Sequence, residues 1–426
     1  MEPPAFRFPD LPLPRRLSAM TALLRRFTQT PSAAPPADPR LHVALDVRFW
    51  SMSGIGTYVR ELLAAYARLR LPLVLTLIGP EGLRDRIAPG LEIRRWIHFE
   101  PPVYSAASFF RYPALPGVDL LHYPHYNLPL TRARHKLVTF YDLFHLRYGS
   151  LPKRRYQDFF LTRLRWSRAH IVVPSEKTGH DLEVAGLRGR RVSCIPLGPG
   201  QSPPERPATP PEDLLTLTGA PPRRRWLLTT GIDQPHKNID FLISALSLYY
   251  QRRPDAPPLV WCGLSAEDRD RRARQIPAHM RQHVVLEPFI DAERLESLMA
   301  GALALVFPSL DEGFGFPPLE AMTRGVPVLC ARREPMSTIL GNAPLYFEPN
   351  ESASLWRAID RLLAPGTVRQ ELIDRGRHRA AQYSWDLTAW DTARLYYEVA
   401  GREVTVEGEE TPEPDDAAAV EQPRQA

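Results

Sequence analysis

One pattern constrains this chain more than any other. Short runs of consecutive apolar residues alternate with stretches of helical periodicity, and the series occurs twice, on either side of a proline-rich break. The first series is Leu41–Val47, Leu73–Ile78, Val118–Tyr123, Lys136–Phe140, His170–Pro174 and Val192–Pro196. Several runs are continuous rather than alternating, which predicts strands covered on both faces, as in a parallel sheet. The segment after Gly56 predicts a helix with Tyr58, Leu62, Tyr66 and Leu69 on one face. The second series is Trp226–Thr230, Leu259–Cys262, Val284–Leu286, Ala302–Phe307, Val328–Ala331 and Leu345–Phe347, with helices expected over Ile239–Tyr250 and Ala292–Ala300. The expectation is an α/β fold of two doubly wound domains facing across a cleft, with ligands held at the carboxyl ends of both sheets.

The divisions follow from composition. Residues 1–40, rich in Pro and Ala, are expected to be a disordered or basic amphipathic arm, because Leu17, Met20, Leu24 and Phe27 recur at helical spacing among Arg15, Arg16, Arg25 and Arg26. An N-terminal domain is expected over 41–200, a proline-rich linker over 201–222 and a C-terminal domain over 223–385. A final helix over 386–400 is expected to return to the N-terminal domain. Residues 401–426 form an acidic tail, with eight acidic residues against two arginines from Arg402 onward.

Three widely separated cysteines, Cys194, Cys262 and Cys330, fit neither a disulfide framework nor a zinc-ligand pattern and point to a reducing compartment. No run of about 20 apolar residues is present, and the N-terminus lacks a signal-peptide pattern. A cytoplasmic protein is expected, peripheral to a membrane if the basic arm meets anionic lipid. The net charge of +6 allows anionic partners, but no nucleic-acid-binding module accompanies it, so no nucleic acid is expected. Asp268-Arg-Asp270 has the spacing of a metal-binding pair but sits in a highly charged helical stretch and reads as a solvated face. No other cluster has metal-ligand spacing, and neither metal nor cofactor is expected.

The chemistry concentrates in Phe307-Pro-Ser-Leu-Asp-Glu-Gly-Phe-Gly-Phe-Pro-Pro-Leu-Glu-Ala-Met322. A strand is expected to turn through Gly313 and Gly315 into a helix beginning at Pro317 or Pro318, where proline is favoured. Glycines before a helix N-terminus let backbone amides approach a ligand, and the dipole favours an anion or sugar oxygens there. Glu312 lies at the rim of this turn and Glu320 within the helix's first turn, so that one carboxylate is placed for sugar hydroxyls and the other for a ribose diol.

Glu312 to Glu320, with Gly-Phe-Gly-Phe-Pro between, closely resembles the Glu-x7-Glu signature of family-four glycosyltransferases, which have the two-Rossmann-domain architecture called GT-B. The resemblance covers about Leu41 to Tyr397, because other segments match in order. Ser53-Gly-Ile-Gly-Thr-Tyr58 is similar to the family's glycine turn after the first strand, which implies that Gly54 and Gly56 cradle a diphosphate. Gly231-Ile-Asp-Gln-Pro-His-Lys-Asn238 resembles the loop that usually ends Arg-Lys-Asn. Lys237 is then implied to stabilise charge on the departing diphosphate. His236 stands where an arginine is common, so part of that positive charge is missing or depends on pH. Val138-Thr-Phe-Tyr-Asp-Leu143 places Tyr141 where many relatives have a histidine near the reacting sugar, with Asp142 retained. Tyrosine's usual pKa near 10 makes it a poor general base. His145, four residues on, faces elsewhere unless the strand has already ended, and His122 and His125 are as readily structural as functional.

The resemblance implies catalytic roles for Glu312, Lys237, Tyr141 and Asp142, and donor binding by Gly54, Gly56, Gly231, His236, Lys237, Gly313, Phe314, Gly315 and Glu320. It implies a retaining hexosyltransferase that takes a nucleotide-sugar donor, with GDP-mannose favoured, and a saccharide or lipid-linked acceptor in surface polysaccharide assembly. Two alternatives stay open: a sugar-nucleotide epimerase of the same fold, and a catalytically weak relative that binds a nucleotide sugar or a protein.

Overall fold

The computed structural model describes residues 40–189, 191–200 and 226–402. The amphipathic stretch around Leu17–Phe27, the 201–222 linker and almost all of the acidic tail lie outside the described residues.

The first sheet has seven parallel strands in the order β3-β2-β1-β4-β5-β6-β7: β1 (Leu41–Asp46), β2 (Leu73–Gly79), β3 (Ile93–His98), β4 (Leu120–Tyr123), β5 (His135–Thr139), β6 (His170–Val173) and β7 (Val192–Cys194). Every residue of β1, β2, β4 and β6 is buried, which is why these strands read as mostly apolar runs without strict alternation. β3 gave no such signal. Arg94 and Arg95 interrupt it, and as the edge strand it is largely open to solvent on its outer side. Helices α1 (Ser53–Leu69), α2 (Ala106–Phe110), α3 (Phe144–Tyr148), α4 (Leu151–Trp166) and α5 (Glu176–Leu182) complete this domain.

The second sheet has six parallel strands in the order β10-β9-β8-β11-β12-β13: β8 (Trp226–Thr230), β9 (Leu259–Leu264), β10 (Val284–Pro288), β11 (Ala302–Phe307), β12 (Val328–Ala331) and β13 (Leu345–Phe347). Its helices are α6 (Ile239–Arg252), α7 (Ala266–Gln275), α8 (Ala292–Gly301), α9 (Phe316–Thr323), α10 (Met336–Leu340), α11 (Ser352–Leu363) and α12 (Val368–Ala380). The last helix among the described residues, α13 (Trp385–Ala400), lies on the first domain. There Tyr66 donates to Tyr396 at 3.0 Å, the Tyr397 hydroxyl donates to the Pro72 carbonyl at 2.7 Å, and Arg68 pairs with Asp386. His122 sits fully buried between the Tyr396 and Thr139 hydroxyls, and burial drives its pKa down to about 3, so it is a neutral core residue.

Strand order reverses between β1 and β4 in the first sheet and between β8 and β11 in the second. At such a point adjacent loops leave in opposite directions and open a crevice at the carboxyl ends of the strands. The loops after β8 and β11 carry Lys237 and Glu312.

Candidate active site

Lys237 ends a short 3-10 turn, Pro235–Lys237, and Asn238 follows it in the left-handed region with φ 55°. Asparagine tolerates that conformation, and the turn redirects the chain into α6. Asn238 occupies the N-cap position of α6, but its side chain makes no capping hydrogen bond. Upstream, Gly231 takes φ 123°, and a β-carbon there would lie 3.7 Å from Lys237 Cε. The loop therefore folds its glycine against the lysine stem. The Lys237 ammonium donates to Glu312 Oε1 at 2.6 Å, with both side chains largely shielded from water. A cation and a carboxylate held together at the switch point form a charged pair that a diphosphate and a sugar can share.

The Glu312 loop is held from the other domain. Gly313 packs directly on the Tyr141 carbonyl, where a β-carbon would collide. Its own carbonyl accepts from Ser175 Oγ at 2.7 Å and from Thr178 Oγ1 at 3.4 Å. Asp311, buried beside it, accepts from Arg147 at 2.7 Å and from Lys177, both in the first domain. Asp181 completes the square, 2.6 Å from Arg147 and 2.7 Å from Lys177. These contacts join the two domains at the residue next to Glu312. The sequence reading missed all of Asp311, Arg147, Lys177 and Ser175, because in sequence they look like ordinary surface charges and a helix cap.

Asp142 closes the same crevice. One position before the N-cap of α3, its carboxylate accepts from the Phe144 amide at 3.0 Å. Burial pushes its pKa up to about 6; the Phe144 amide opposes this, while the charges of Glu312 and Asp311 add to it. Asp142 is thus close enough to Glu312 to feel its charge and changes ionisation just below neutrality.

Several expected site residues are not brought to this point. The Tyr141 hydroxyl is buried without a hydrogen-bond partner, its ring edge-to-face with Tyr58 at 5.8 Å. Burial raises its pKa well above the ordinary phenol value. His236 stacks on Phe144 at 4.4 Å and Tyr148 at 5.4 Å and is an inter-domain packing residue. Burial, then the adjacent Lys237 charge, lowers its pKa, and the ring is neutral at pH 7. The missing arginine charge is therefore not replaced. Phe314 is buried against Phe316 and Tyr383, in the core rather than the crevice.

The glycine turn also differs from expectation. α1 begins at Ser53, so Gly54 and Gly56 lie inside its first turn. The Gly56 amide donates to the Met52 carbonyl at 2.8 Å and is not open to a ligand. Its lack of a side chain is steric: a β-carbon would meet the Trp50 carbonyl and come within 2.9 Å of the Phe49 carbonyl. Gly54 does face the opposite domain, its β-position open and 3.8 Å from the Phe316 ring. Gly315 (φ 90°) caps α9, which starts at Phe316, so Pro317 and Pro318 follow its first residue and Glu320 falls in the second turn. The Glu320 carboxylate reaches the Cα of Gly200, where the chain leaves the first domain, and leaves no room there for a β-carbon. Asp268 and Asp270 lie on α7, paired with Arg271 and Arg269. Among the described residues, no three His, Cys, Asp or Glu side chains converge as a metal site requires.

Residues 218–379 match the family model for glycosyl transferases group 1. Over 172 residues the chain is 30% identical to the O-antigen chain mannosyltransferase B of Escherichia coli, a match covering 40% of this chain and 45% of that protein. The chain spans less than half the length of the curated relatives it first matches. In fold it is similar to a sucrose-phosphate synthase from Thermosynechococcus elongatus, with TM-score 0.66 and 18% identity over 85% of this chain and all of that one. It is also similar to Anabaena Alr3699/HepE, crystallised with UDP and glucose, with TM-score 0.61 and 15% identity over 84% of this chain and all of that one. At these identities the structures share the architecture of two Rossmann-like domains.

Proposed function

Starting from the group 1 glycosyl transferase domain of residues 218–379, we propose that this chain is a retaining hexosyltransferase that moves a sugar from a nucleoside diphosphate to a saccharide or lipid-linked saccharide. The role fits surface polysaccharide assembly, as the similarity to an O-antigen mannosyltransferase suggests, and GDP-mannose is the first donor to test. The observation that carries the reading is the Lys237–Glu312 pair, 2.6 Å apart at the switch-point crevice.

The donor diphosphate takes Lys237 and the open amides at the start of α1, with the N-terminus of α9 facing it. Glu312 and the Gly313–Gly315 backbone hold the sugar, and Glu320 binds the ribose. The acceptor hydroxyl attacks the anomeric carbon from the face the diphosphate leaves. The anomeric carbon–oxygen bond to phosphate breaks as the new glycosidic bond forms, and the hydroxyl proton passes to the departing phosphate oxygen. Positive charge at Lys237 stabilises that oxygen more in the transition state than in the ground state. Closure of the domains excludes water. No metal is required, and the protein works in the cytoplasm at an anionic membrane face.

A thermal-shift screen of GDP, UDP and ADP sugars identifies the donor, and radiolabelled transfer measures turnover. Lys237→Ala lowers kcat about 100-fold or more, whereas Glu320→Ala chiefly raises the donor KM. Full activity in both variants would remove this site assignment. EDTA leaves transfer intact; loss of activity that Mn²⁺ restores refutes metal independence. The neutral His236 and buried Tyr141 favour a second reading, a nucleotide-sugar binder with weak turnover. Tight donor binding without transfer to any saccharide selects it.

A further inference from the structure

We propose that an aromatic pocket in the first domain seats the hydrocarbon chain of a phosphate-bearing acceptor, an assignment that rests on the transferase reading above. The pocket has a volume of about 220 Å³ and is walled by Tyr104, Phe109, Phe110, Tyr156, Phe159 and Phe160. Large apolar side chains are normally covered, yet Phe110 is 68% and Phe159 52% exposed at its mouth.

Its position ties it to the crevice. Tyr104 follows β3, Asn127 follows β4, and Asp142 follows β5. In a parallel sheet these three loops leave from one edge, the edge that faces the second domain. Tyr104, whose pKa burial raises, also feels the charge of Asp142. A ligand seated in the pocket therefore extends toward the carboxylates of the site.

The chemistry of the lining selects the occupant. Ser105 Oγ already accepts from the Ser108 amide at 3.0 Å, and Ser108 Oγ accepts from Arg48 at 2.9 Å. The Asn127 amide donates to the Val103 carbonyl at 2.8 Å and to the Tyr156 hydroxyl at 3.1 Å, while its oxygen pairs with His125 at 2.6 Å. A sugar ring, with a hydroxyl on most carbons, finds few partners here and pays desolvation. A hydrocarbon chain needs none. The charge beside the pocket suits an anionic head: α4, which lends Tyr156, Phe159 and Phe160 to the wall, also carries Lys153, Arg155 and Arg163 against the single acid Asp158, and the Arg163 guanidinium lies 4.6 Å over the Phe109 ring.

The test titrates the full chain calorimetrically with farnesyl phosphate, geranyl phosphate, farnesol and inorganic phosphate. Farnesyl phosphate is expected to bind best, with about four-fold lost for each buried methylene-sized group withdrawn. Phe110→Glu and Phe159→Glu weaken it at least ten-fold, and Phe159→Leu retains it, which separates lost apolarity from misfolding. In transfer assays, Phe159→Glu lowers by ten-fold or more the kcat/KM ratio of a chain-bearing acceptor to the same saccharide on a methyl aglycone. Equal binding of inorganic phosphate, or glutamate variants that bind like wild type, overturns the proposal. So does loss of anionic-vesicle binding with farnesyl phosphate affinity unchanged, which assigns the face to a membrane. Transfer with an unchanged ratio overturns this proposal and leaves the transferase reading standing. Chain-sensitive binding with no transfer from any nucleotide sugar counts against the transferase reading and, with it, the acceptor role.

Discussion

Asp311→Asn separates the role of domain closure from that of the charges that touch substrate. The Asp311 carboxylate is 5% exposed and takes one hydrogen bond from Lys177 and one from Arg147. The substitution keeps the shape and removes the charge. Neither cation is then stranded, since Asp181 still pairs with both, so the full cost of an unpaired buried charge does not apply. Loss of the shielded Lys177 bond costs about 1.5–2 kcal/mol. The Arg147 side chain is 36% exposed, and its share is discounted by solvent to about 0.5–1 kcal/mol. Together, about 2–3 kcal/mol moves the closed-to-open ratio by about 30- to 150-fold. The expected result is a larger radius of gyration by X-ray scattering and a kcat at least ten-fold lower. Combining Asp311→Asn with Lys177→Met gives less than the sum of the single effects, by about 1 kcal/mol or more. Scattering and kcat both indistinguishable from wild type would refute the reasoning.

Other outcomes follow from single residues. Asp142, with its pKa raised to about 6, is mainly neutral below that pH and mainly ionised above it. The folded state binds this proton more tightly than the unfolded chain does. The stability it contributes is therefore complete below the ordinary carboxyl pKa and is lost as the pH rises through about 6. Asp142→Asn raises the thermal midpoint relative to wild type at pH 8, the gap closes at pH 5, and an inflection near pH 6 disappears from the kcat profile; a pH-independent gap excludes this titration. Gly56→Ala forces a β-carbon onto the Trp50 and Phe49 carbonyls and is expected to destabilise the protein by about 1–3 kcal/mol, read as a lowered denaturant midpoint; an unchanged midpoint refutes the steric reading of this glycine.

Much of this protein was legible in its sequence because burial on both faces of a parallel strand leaves a one-dimensional trace. β1, β2, β4 and β6 are largely apolar runs without strict alternation, and their spacing announced two doubly wound sheets. The edge strand β3 left no such trace, since Arg94 and Arg95 interrupt it on a strand that is only partly buried. The short Gly-Phe-Gly-Phe-Pro turn and its two glutamates were equally visible, because a backbone that must bend sharply before a helix needs glycine and tolerates proline at particular positions. What lies in the crevice was a different matter. Tyr141 and His236 turn into packing, Phe314 joins the core and the Gly56 amide closes a helical turn, while Asp311, Arg147 and Lys177 meet across the domains. Periodicity records which face of an element is covered; it does not record which side chains from distant loops arrive at one place. That is decided when strand order reverses at β8 and β11 and the other domain closes over the opening. Only then does a carboxylate near Glu312 become buried enough to hold its proton close to neutrality.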